Sequence, residues 1–357
     1  MKRIVMMQGM GLNERGWAGL ISKYGKVILI QEGYIDHTEY WENGQCVFTG
    51  PEIKVAHTRY FDNLTFGLLT MFRAWRAFFK ATKGEKVDLI IAASYSMASV
   101  ALFLRLIGKT RKVVCTVVDH LPLKGSLGLR MHRMIAGWLT YFTARFADEV
   151  WTISPRIPAM QFNRNSHVIQ FIIDNNDVAQ GERNEIGYIG FPSQDHALDL
   201  LFEVAKKHNI VLNIIGDSPY LQSIKKDAPP QAVFYGQMND KEKIKSIFSR
   251  CFCGYAVYRA TGTQSYSYYG FPSKSLYCFA NNTPLLTTNT SLFTQEVEKL
   301  GIGRVVEPTV EDIERAILDL RTRFADYYQA INRFRDDWNA GVFRFHEERL
   351  KALLNAR

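Results

Sequence analysis

The fold class is indicated most clearly by the stretch Tyr269-Gly-Phe-Pro-Ser-Lys-Ser-Leu-Tyr-Cys-Phe-Ala-Asn-Asn-Thr-Pro-Leu-Leu-Thr-Thr288. The glycine and proline that follow Tyr269 oppose a continued helix, so the stretch begins as a loop. Ser273 is a favourable N-cap residue, and the pattern after it predicts a short helix over 274–279. Two asparagines end that helix, and Pro284 introduces a strand over 285–288.

The start of this short helix also predicts an anion site. Free backbone N–H groups in a first helical turn, with the side chains of Ser273 and Lys274 beside them, favour a phosphate or diphosphate ligand. The alternative interpretation is a capped surface helix whose lysine is solvated. The stretch follows three strand-ending turns that contain glycine, which favours the ligand site.

Composition describes an ordinary folded protein. The chain has 357 residues, of which 47% are hydrophobic and 22% charged, enough for two α/β domains. Its five cysteines lack zinc-finger spacing and indicate reduced thiols in a cytosolic protein. We expect neither a signal peptide nor a membrane span. The net charge of +9 indicates an anionic partner, namely nucleic acid, an acidic membrane surface or a phosphorylated substrate.

The N-terminal half alternates strands and helices. A strand over 4–8, a glycine turn and a helix from Glu14 form the first unit of a doubly wound domain. The third glycine of the dinucleotide fingerprint is missing, which argues against NAD. Gly9 and Gly11 let the backbone approach a sugar or phosphate, or they only make the turn tight. Residues 33–60 show no period.

Two helices of this half are cationic and rich in aromatic residues. The helix predicted over 64–83 suits the surface of an anionic bilayer through four residues, Arg73, Trp75, Arg76 and Lys80. The alternative is a core-packed helix whose cations complement its dipole. A second cationic helix is predicted over 130–145, with its apolar residues on one side.

The best candidates for a general base follow a strand predicted from Lys112. This strand brings Asp119 and His120 to its carboxyl end, where open α/β sheets bind their ligands. The alternative is a turn aspartate that caps the next segment.

The order of motifs resembles that of GT-B glycosyltransferases. Pro272-Ser-Lys274 resembles their diphosphate segment, with Asn282 near the position of a usual glycine. The strand-turn motifs before it are Tyr-Ile-Gly190, Ile-Ile-Gly216-Asp-Ser-Pro and Phe-Tyr-Gly236, and Gly-Ile-Gly303 comes after it. The resemblance implies an α/β fold with two Rossmann-like domains that face a central cleft. It places an acceptor domain at 1–175, a nucleotide-sugar domain at 184–335, and at 336–357 a helix that returns to the first domain.

The resemblance also implies roles for particular residues. It makes Asp119 the base that takes the proton of an acceptor hydroxyl, with His120 as the second candidate. It implies a nucleotide-sugar site formed by Gly9, Gly11, Gly190, Gly216, Gly236, Gln237, Met238, Tyr258, Arg259, Ser273, Lys274 and Ser275.

Departures from the family pattern limit what carries over. Family 4 retaining enzymes usually carry an Arg and a Lys after the first strand of the second domain, where this chain has Phe191. Tyr269 and Tyr277 replace their two glutamates, so the retaining mechanism does not carry over. The lysine-only arrangement is closer to xanthan-type glucuronosyltransferases, which invert with an aspartate base. The chain has no Asp-x-Asp motif, so we expect metal-independent transfer and no cofactor besides the donor substrate.

The resemblance implies a donor that is most often linked to UDP and a lipid-linked or polysaccharide acceptor. The enzyme would then be peripheral on the cytoplasmic face of the plasma membrane. Two other functions stay open at this point. One is a sugar-nucleotide epimerase on the same fold, which usually carries more carboxylates around the diphosphate. The other is a basic nucleic-acid-binding protein, although no recognised motif supports it.

Overall fold

The computed structural model describes residues 1–8, 14–31, 35–50, 53–54, 64–117, 127–176, 178, 181–238, 240–259 and 266–355. The chain forms two compact units. The first unit is Met1–Ile172 with Gly341–Arg357, and the second unit is Ile173–Ala340.

In its described residues, the first unit contains a nine-stranded sheet and four helices before its C-terminal segment. The strands are β1 (Arg3–Gln8), β2 (Lys26–Gln31), β3 (Ile35–Glu42), β4 (Gln45–Thr49), β5 (Ile53–Lys54), β6 (Val87–Ala93), β7 (Thr110–Val117), β8 (Glu149–Thr152) and β9 (Ser166–Val168). The helices are α1 (Glu14–Ile21), α2 (Leu64–Thr82), α3 (Ser94–Leu106) and α4 (Leu127–Phe146). The strand order is β4-β3-β2-β1-β6-β7-β8-β9, and β5 pairs with β3.

The centre of this sheet is parallel, and its strands are buried. β1 pairs in parallel with β2 and β6, and β7 pairs in parallel with β6 and β8. These strands are apolar runs because helices cover a parallel sheet on both faces. The strands β3, β4 and β5 add an antiparallel edge.

That antiparallel edge lies within 33–60, where the sequence showed no period. The reason is visible at Glu39, a buried carboxylate in the middle of β3. Its oxygens accept hydrogen bonds from Arg15 Nε at 2.8 Å and Trp41 Nε1 at 2.9 Å. Because β3 buries a charged residue and β4 is exposed throughout, neither strand shows the apolar alternation that identifies a strand in sequence.

The second unit contains a six-stranded parallel sheet. Its strands are β10 (Glu185–Ile189), β11 (Val211–Ile215), β12 (Ala232–Gly236), β13 (Cys251–Ala256), β14 (Leu285–Thr287) and β15 (Gly303–Val305). Its helices are α5 (Leu198–His208), α6 (Pro219–Ile224), α7 (Lys241–Phe248), α8 (Tyr266–Tyr269), α9 (Lys274–Ala280) and α10 (Val310–Thr322), followed by α11 (Phe324–Asn355), whose residues from Gly341 belong to the first unit.

The strand order β12-β11-β10-β13-β14-β15 fixes where a ligand site is expected in this unit. The chain winds outward from β10 in one direction and then continues from β13 in the other. Between these neighbours lies the topological switch point, where open α/β sheets bind ligands beyond the carboxyl ends of the strands. The α9 helix joins β13 to β14, so its first residue lies at this edge.

The C-terminal part of α11 packs within the first unit. The ring of His346 lies 5.5 Å from that of Trp17 and 5.4 Å from that of Trp151. Arg349 forms an ion pair with the nearly buried carboxylate of Glu149. In the described part of the chain, no helix combines the length and the apolar character that crossing a bilayer requires.

Candidate functional site

Three glycines form the carboxyl edge of the second sheet. Gly190 follows β10, Gly216 follows β11 and Gly236 ends β12, and their φ angles are +135°, +134° and +67°. The Gly216 N–H donates to the Gly236 carbonyl oxygen at 2.7 Å. A Cβ on Gly216 would lie 1.8 Å from the Gly190 carbonyl oxygen. The turns are therefore in close backbone contact, and only glycine fits at the centre.

Lys274 begins α9 and extends its side chain to the same edge. The residue is only 8% exposed. Its Nζ lies 3.4 Å from the hydroxyl of Tyr188 and 4.5 Å and 5.1 Å from the ring centroids of Tyr188 and Tyr258. A Cβ on Gly190 would lie 3.8 Å from Nζ. The ammonium group therefore lies against the turn after β10, at the switch point.

The charge of Lys274 is poorly compensated. No carboxylate among the described residues pairs with its Nζ, and the contacts with the two tyrosine rings are cation–π contacts. Burial lowers the pKa of Lys274 from 10.5 to about 7. A buried cation without a counter-ion favours an incoming anion, because the anion replaces the water that burial removed.

His196 is a neighbour of this cation that the sequence did not indicate. Its Nδ1 accepts the backbone N–H of Ser193 at 2.9 Å, so the neutral ring carries its proton on Nε2. Burial, and next the charge of Lys274, lower the His196 pKa to about 2. Its ring lies 5.1 Å from the ring of Tyr258. Only tertiary structure brings it to Lys274, since 78 positions separate the two in sequence.

The two tyrosines stay neutral phenols. Burial raises the pKa of both Tyr188 and Tyr258 well above the usual value. The Tyr258 backbone N–H donates to Thr288 Oγ1 at 3.0 Å, which holds the segment after β13 against the segment after β14. The predicted site residue Tyr258 therefore forms one wall around the ammonium group.

The serines beside Lys274 have structural roles that differ from each other. Ser273 occupies the N-cap position, but its φ and ψ are −54° and −27° and its side chain makes no capping hydrogen bond. The predicted N-cap position is thus confirmed, without the capping bond. Backbone bonds close the turn, from Ser275 N–H to the Pro272 oxygen at 2.8 Å and from Leu276 N–H to the Ser273 oxygen at 3.1 Å. Ser275 is buried, and its hydroxyl donates to the Pro272 oxygen at 2.5 Å. Contact of either serine with a ligand stays a prediction.

The other predicted residues of this unit lie near the same edge. Arg259 is held by Asp199, with guanidinium nitrogens at 2.7 Å and 2.5 Å from its two oxygens. The hydrogen bond from Arg259 lowers the pKa of Asp199. Gln237 is exposed and Met238 half-buried, directly after β12. Asn282, near the position of the family's usual glycine, has a φ of +52°, which is the left-handed conformation.

The similarity of this chain to solved structures extends over nearly its whole length. Sucrose-phosphate synthase from Thermosynechococcus elongatus is 13% identical, with a TM-score of 0.69, and the match covers 99% of this chain and 100% of that chain. Anabaena HepE, in complex with UDP, is 13% identical with a TM-score of 0.63, covering 99% and 100%. The catalytic domain of starch synthase IV from Arabidopsis thaliana, bound to ADP and acarbose, is 11% identical with a TM-score of 0.63, covering 100% of both chains.

The chain has the GT-B fold. This confirms the predicted fold class of two Rossmann-like units. At these identities the similarity establishes the fold alone. No protein-family model and no curated protein sequence matches the chain.

In the first unit of this GT-B fold, the described part of the sheet edge is polar. Ser94, directly after β6, has a φ of +68°, a conformation that a serine rarely adopts. Its hydroxyl lies 3.0 Å from that of Ser96. The Tyr95 and His132 rings lie 6.4 Å apart, and the buried Nδ1 of His132 has no hydrogen-bond partner among the described residues. The predicted residues Gly9, Gly11, Asp119 and His120 lie outside the described residues.

The predicted membrane-binding residues lie on α2. Trp75, Arg76 and Lys80 are exposed, and Arg73 is half-buried. The Arg76 guanidinium lies 5.9 Å from the Phe72 ring centroid. The opposite face of the same helix is in the core, since Ala74 and Phe78 are fully buried. The helix is therefore both core-packed and exposed, and its contact with a membrane stays a prediction.

Proposed function

We propose that the protein is a glycosyltransferase that moves a sugar from a nucleoside-diphosphate donor to an acceptor hydroxyl. The observation that carries this proposal is the position of Lys274. It is a buried ammonium group that no described carboxylate neutralises, and it lies at the switch point of a parallel sheet beside three glycine turns. A diphosphate is the anion that this position fits.

The neighbours of Lys274 suit the leaving group of such a transfer. The C–O bond between sugar and diphosphate breaks, and negative charge develops on the diphosphate. The Lys274 ammonium group stabilises that charge in a setting with little water, where an electrostatic contact is strong. The neutral His196 ring offers its Nε2–H as a further donor. The bare backbone of Gly190 leaves room for phosphate oxygens.

The first unit would supply the base. In the proposed reaction the acceptor oxygen attacks the anomeric carbon, and Asp119 takes the hydroxyl proton. Asp119 follows the end of β7 by two positions in sequence, with His120 as the second candidate. We propose that the transfer inverts and is independent of metal, because Lys274 provides the positive charge and the sequence contains no Asp-x-Asp.

The donor is proposed to be a UDP-sugar and the acceptor a lipid-linked or polysaccharide chain at the cytoplasmic face of the plasma membrane. The similar HepE structure holds UDP and the similar starch synthase structure holds ADP, so the base must be measured. Support for the membrane setting is the exposed aromatic and cationic residues of α2, Trp75, Arg76 and Lys80, with the net charge of +9.

A thermal-shift screen tests the proposal. UDP-, GDP-, ADP- and CMP-linked sugars are added without metal, with the free nucleotides and the parent nucleosides in parallel. We expect one diphosphate nucleotide to raise the melting temperature, and its nucleoside to have no effect. Silence across the panel would contradict the proposal.

Two further measurements separate the alternatives. A binding donor that is converted to its epimer without acceptor would identify the epimerase instead. Retention on nucleic acid that falls steeply with salt, with no nucleotide response, would identify a nucleic-acid-binding protein.

A further inference from the structure

Helix α4 exposes six large apolar side chains, and its fully buried residues are small or polar. The residues on its inner face are His132, Ala136, Thr143 and Ala144. Thr143 Oγ1 lies 3.9 Å from Cys115 Sγ in β7, so this face packs on the sheet. The exposed residues of the outer face are Leu127, Met131, Met134, Trp138, Phe142 and Phe146. An ordinary surface helix has the opposite arrangement.

The exposed residues of α4 form one continuous stripe, which we call the α4 stripe. Its six members are three or four positions apart, so they share one face of the helix. At a rise of about 1.5 Å per residue, the stripe is about 28 Å long. Trp138 at its centre is 72% exposed, and Phe142 is 58% exposed. Isolated exposed apolar residues need no explanation, but a patch of this length marks a contact surface.

The charged side chains of helices α2, α3 and α4 have a single sign, and one of them, Arg105, is paired with Asp148, which follows α4. Helices α2, α3 and α4 contain no aspartate and no glutamate. They contain seven basic residues, namely Arg73, Arg76, Lys80, Arg105, Arg130, Arg133 and Arg145. Because α3 packs against both α2 and α4, the three helices form one side of the first unit. This side also exposes Phe103 and Leu106 of α3.

A polar groove lies at the end of the α4 stripe. It has a volume of about 650 Å³, and its lining includes Arg145 and Arg164. Asn163 ties the groove to the helix, because its Nδ2 donates to the carbonyl oxygens of Ala144 and Ala147 at 2.8 Å. Both arginines are exposed, and no described residue forms a hydrogen bond or an ion pair with either guanidinium. Two unpaired guanidinium groups beside Phe146 suit anionic headgroups next to acyl chains.

We propose that the α4 stripe inserts into the interfacial layer of an anionic bilayer, with Arg145 and Arg164 on lipid phosphates. Aromatic and thioether side chains framed by cations and lacking any acid are the composition that such interfaces select. A second copy of this chain is a poor occupant, since the three helices of one copy offer no acidic residue to the cations of the other. The inference rests on the proposed membrane setting of the reaction and does not involve the donor site at Lys274.

Vesicle co-sedimentation of the full chain tests the inference. The vesicles contain phosphatidylcholine alone or with phosphatidylglycerol. Wild-type protein should bind the anionic vesicles, and Trp138→Ser with Phe142→Ser should lower that binding by more than about tenfold. Arg145→Gln and Arg164→Gln should each lower it by about fivefold, the factor for one cation near the surface. Phe343→Ser removes an exposed aromatic residue of α11 and is the matched control.

Fluorescence quenching by brominated lipids shows which helix is in contact with the bilayer. Most of the quenching should disappear in Trp138→Phe and persist in Trp75→Phe. Equal quenching in wild type and Trp138→Phe would overturn the inference, as would a lipid-free dimer that Trp138→Ser dissociates. UDP is also titrated into the same variants by calorimetry. Unchanged nucleotide binding in Trp138→Ser separates failure of this inference from failure of the donor site.

Discussion

The two units place cations and aromatic rings in opposite ways. In the second unit, Lys274 is buried between Tyr188 and Tyr258. In the first unit, the aromatic residues of the α4 stripe are exposed, and the arginines and lysines beside them belong to helices without acids. A buried cation can take one small anion that fits the space, whereas an exposed cationic face suits an extended anionic surface.

The carboxyl edges of the two sheets also differ in charge. The second unit's edge consists of bare glycine backbone with a cation beside it. The described part of the first unit's edge presents hydroxyl and imidazole groups of Ser94, Ser96 and His132. This difference is consistent with the proposed function, in which one unit would bind the charged leaving group and the other a neutral hydroxyl.

The largest effect is expected from Asp119→Ala. Loss of a general base should lower the rate of transfer by about a hundredfold to ten-thousandfold. Donor affinity should be unchanged, because the proposed diphosphate site at Lys274 belongs to the other unit. Turnover with the proposed donor and acceptor, beside a calorimetric titration of the donor, measures both. Asp227→Ala, at an exposed aspartate of the second unit, is the control. Full turnover in Asp119→Ala would exclude Asp119 as the base and direct the search to His120.

Gly216→Ala tests whether the glycine edge is as rigid as its contacts indicate. A Cβ at this position would lie 1.8 Å from the Gly190 carbonyl oxygen, and the φ of +134° disfavours alanine. We expect a loss of about 2–4 kcal/mol in the free energy of unfolding, from backbone strain and overpacking. Urea unfolding measures it. Gly341→Ala, in a helix and with nothing within 4 Å of the new Cβ, should instead stabilise by about 0.5–1 kcal/mol.

Features that depend only on neighbouring residues could be predicted from the sequence, and features that depend on folding could not. The parallel strands, the glycine turns and the position of Lys274 were predictable because each is written in a few neighbouring residues. His196 was not, because only folding brings it to the cation. The second cationic helix was predicted over 130–145, but periodicity alone does not show whether its apolar side faces the sheet or the solvent. In the structure, the small residues of α4 face the sheet, and the α4 stripe faces the solvent.

Donor affinity should also depend on pH, with an effect smaller than those of the two substitutions above. This pH dependence should come from the buried cation, Lys274. The pKa of Lys274 in the free protein is about 7, and a bound diphosphate raises it. Binding therefore takes up a proton above pH about 7, and affinity falls with rising pH by up to about tenfold per unit. Titrations in buffers of different ionisation enthalpy measure this uptake. Lys274→Met should abolish it. Equal heats in all buffers for wild type would show that Lys274 is already charged or is not in contact with the anion.

The same shift has a consequence for the free protein. Unfolded Lys274 regains its usual pKa of 10.5, so between about 7 and 10.5 the unfolded chain binds more protons than the native one. The contribution of this residue to stability thus rises with pH across that window. Below pH about 7, Lys274 is charged in the folded state, and the burial of that charge lowers the free energy of unfolding by its full amount.

The proposal that Lys274 binds the donor diphosphate is tested most directly by calorimetry. UDP and uridine are titrated into wild type, Lys274→Met and Lys226→Ala. Methionine keeps the apolar stem and removes only the charge, and Lys226 is an exposed lysine of the same unit. If UDP is silent in the nucleotide screen, the diphosphate that responds replaces it. We expect the wild type to bind UDP and not uridine, Lys226→Ala to be unchanged, and Lys274→Met to lose about tenfold to a hundredfold in affinity, as for a charged hydrogen bond. UDP affinity in Lys274→Met equal to that of the wild type would contradict the claim that Lys274 binds the diphosphate.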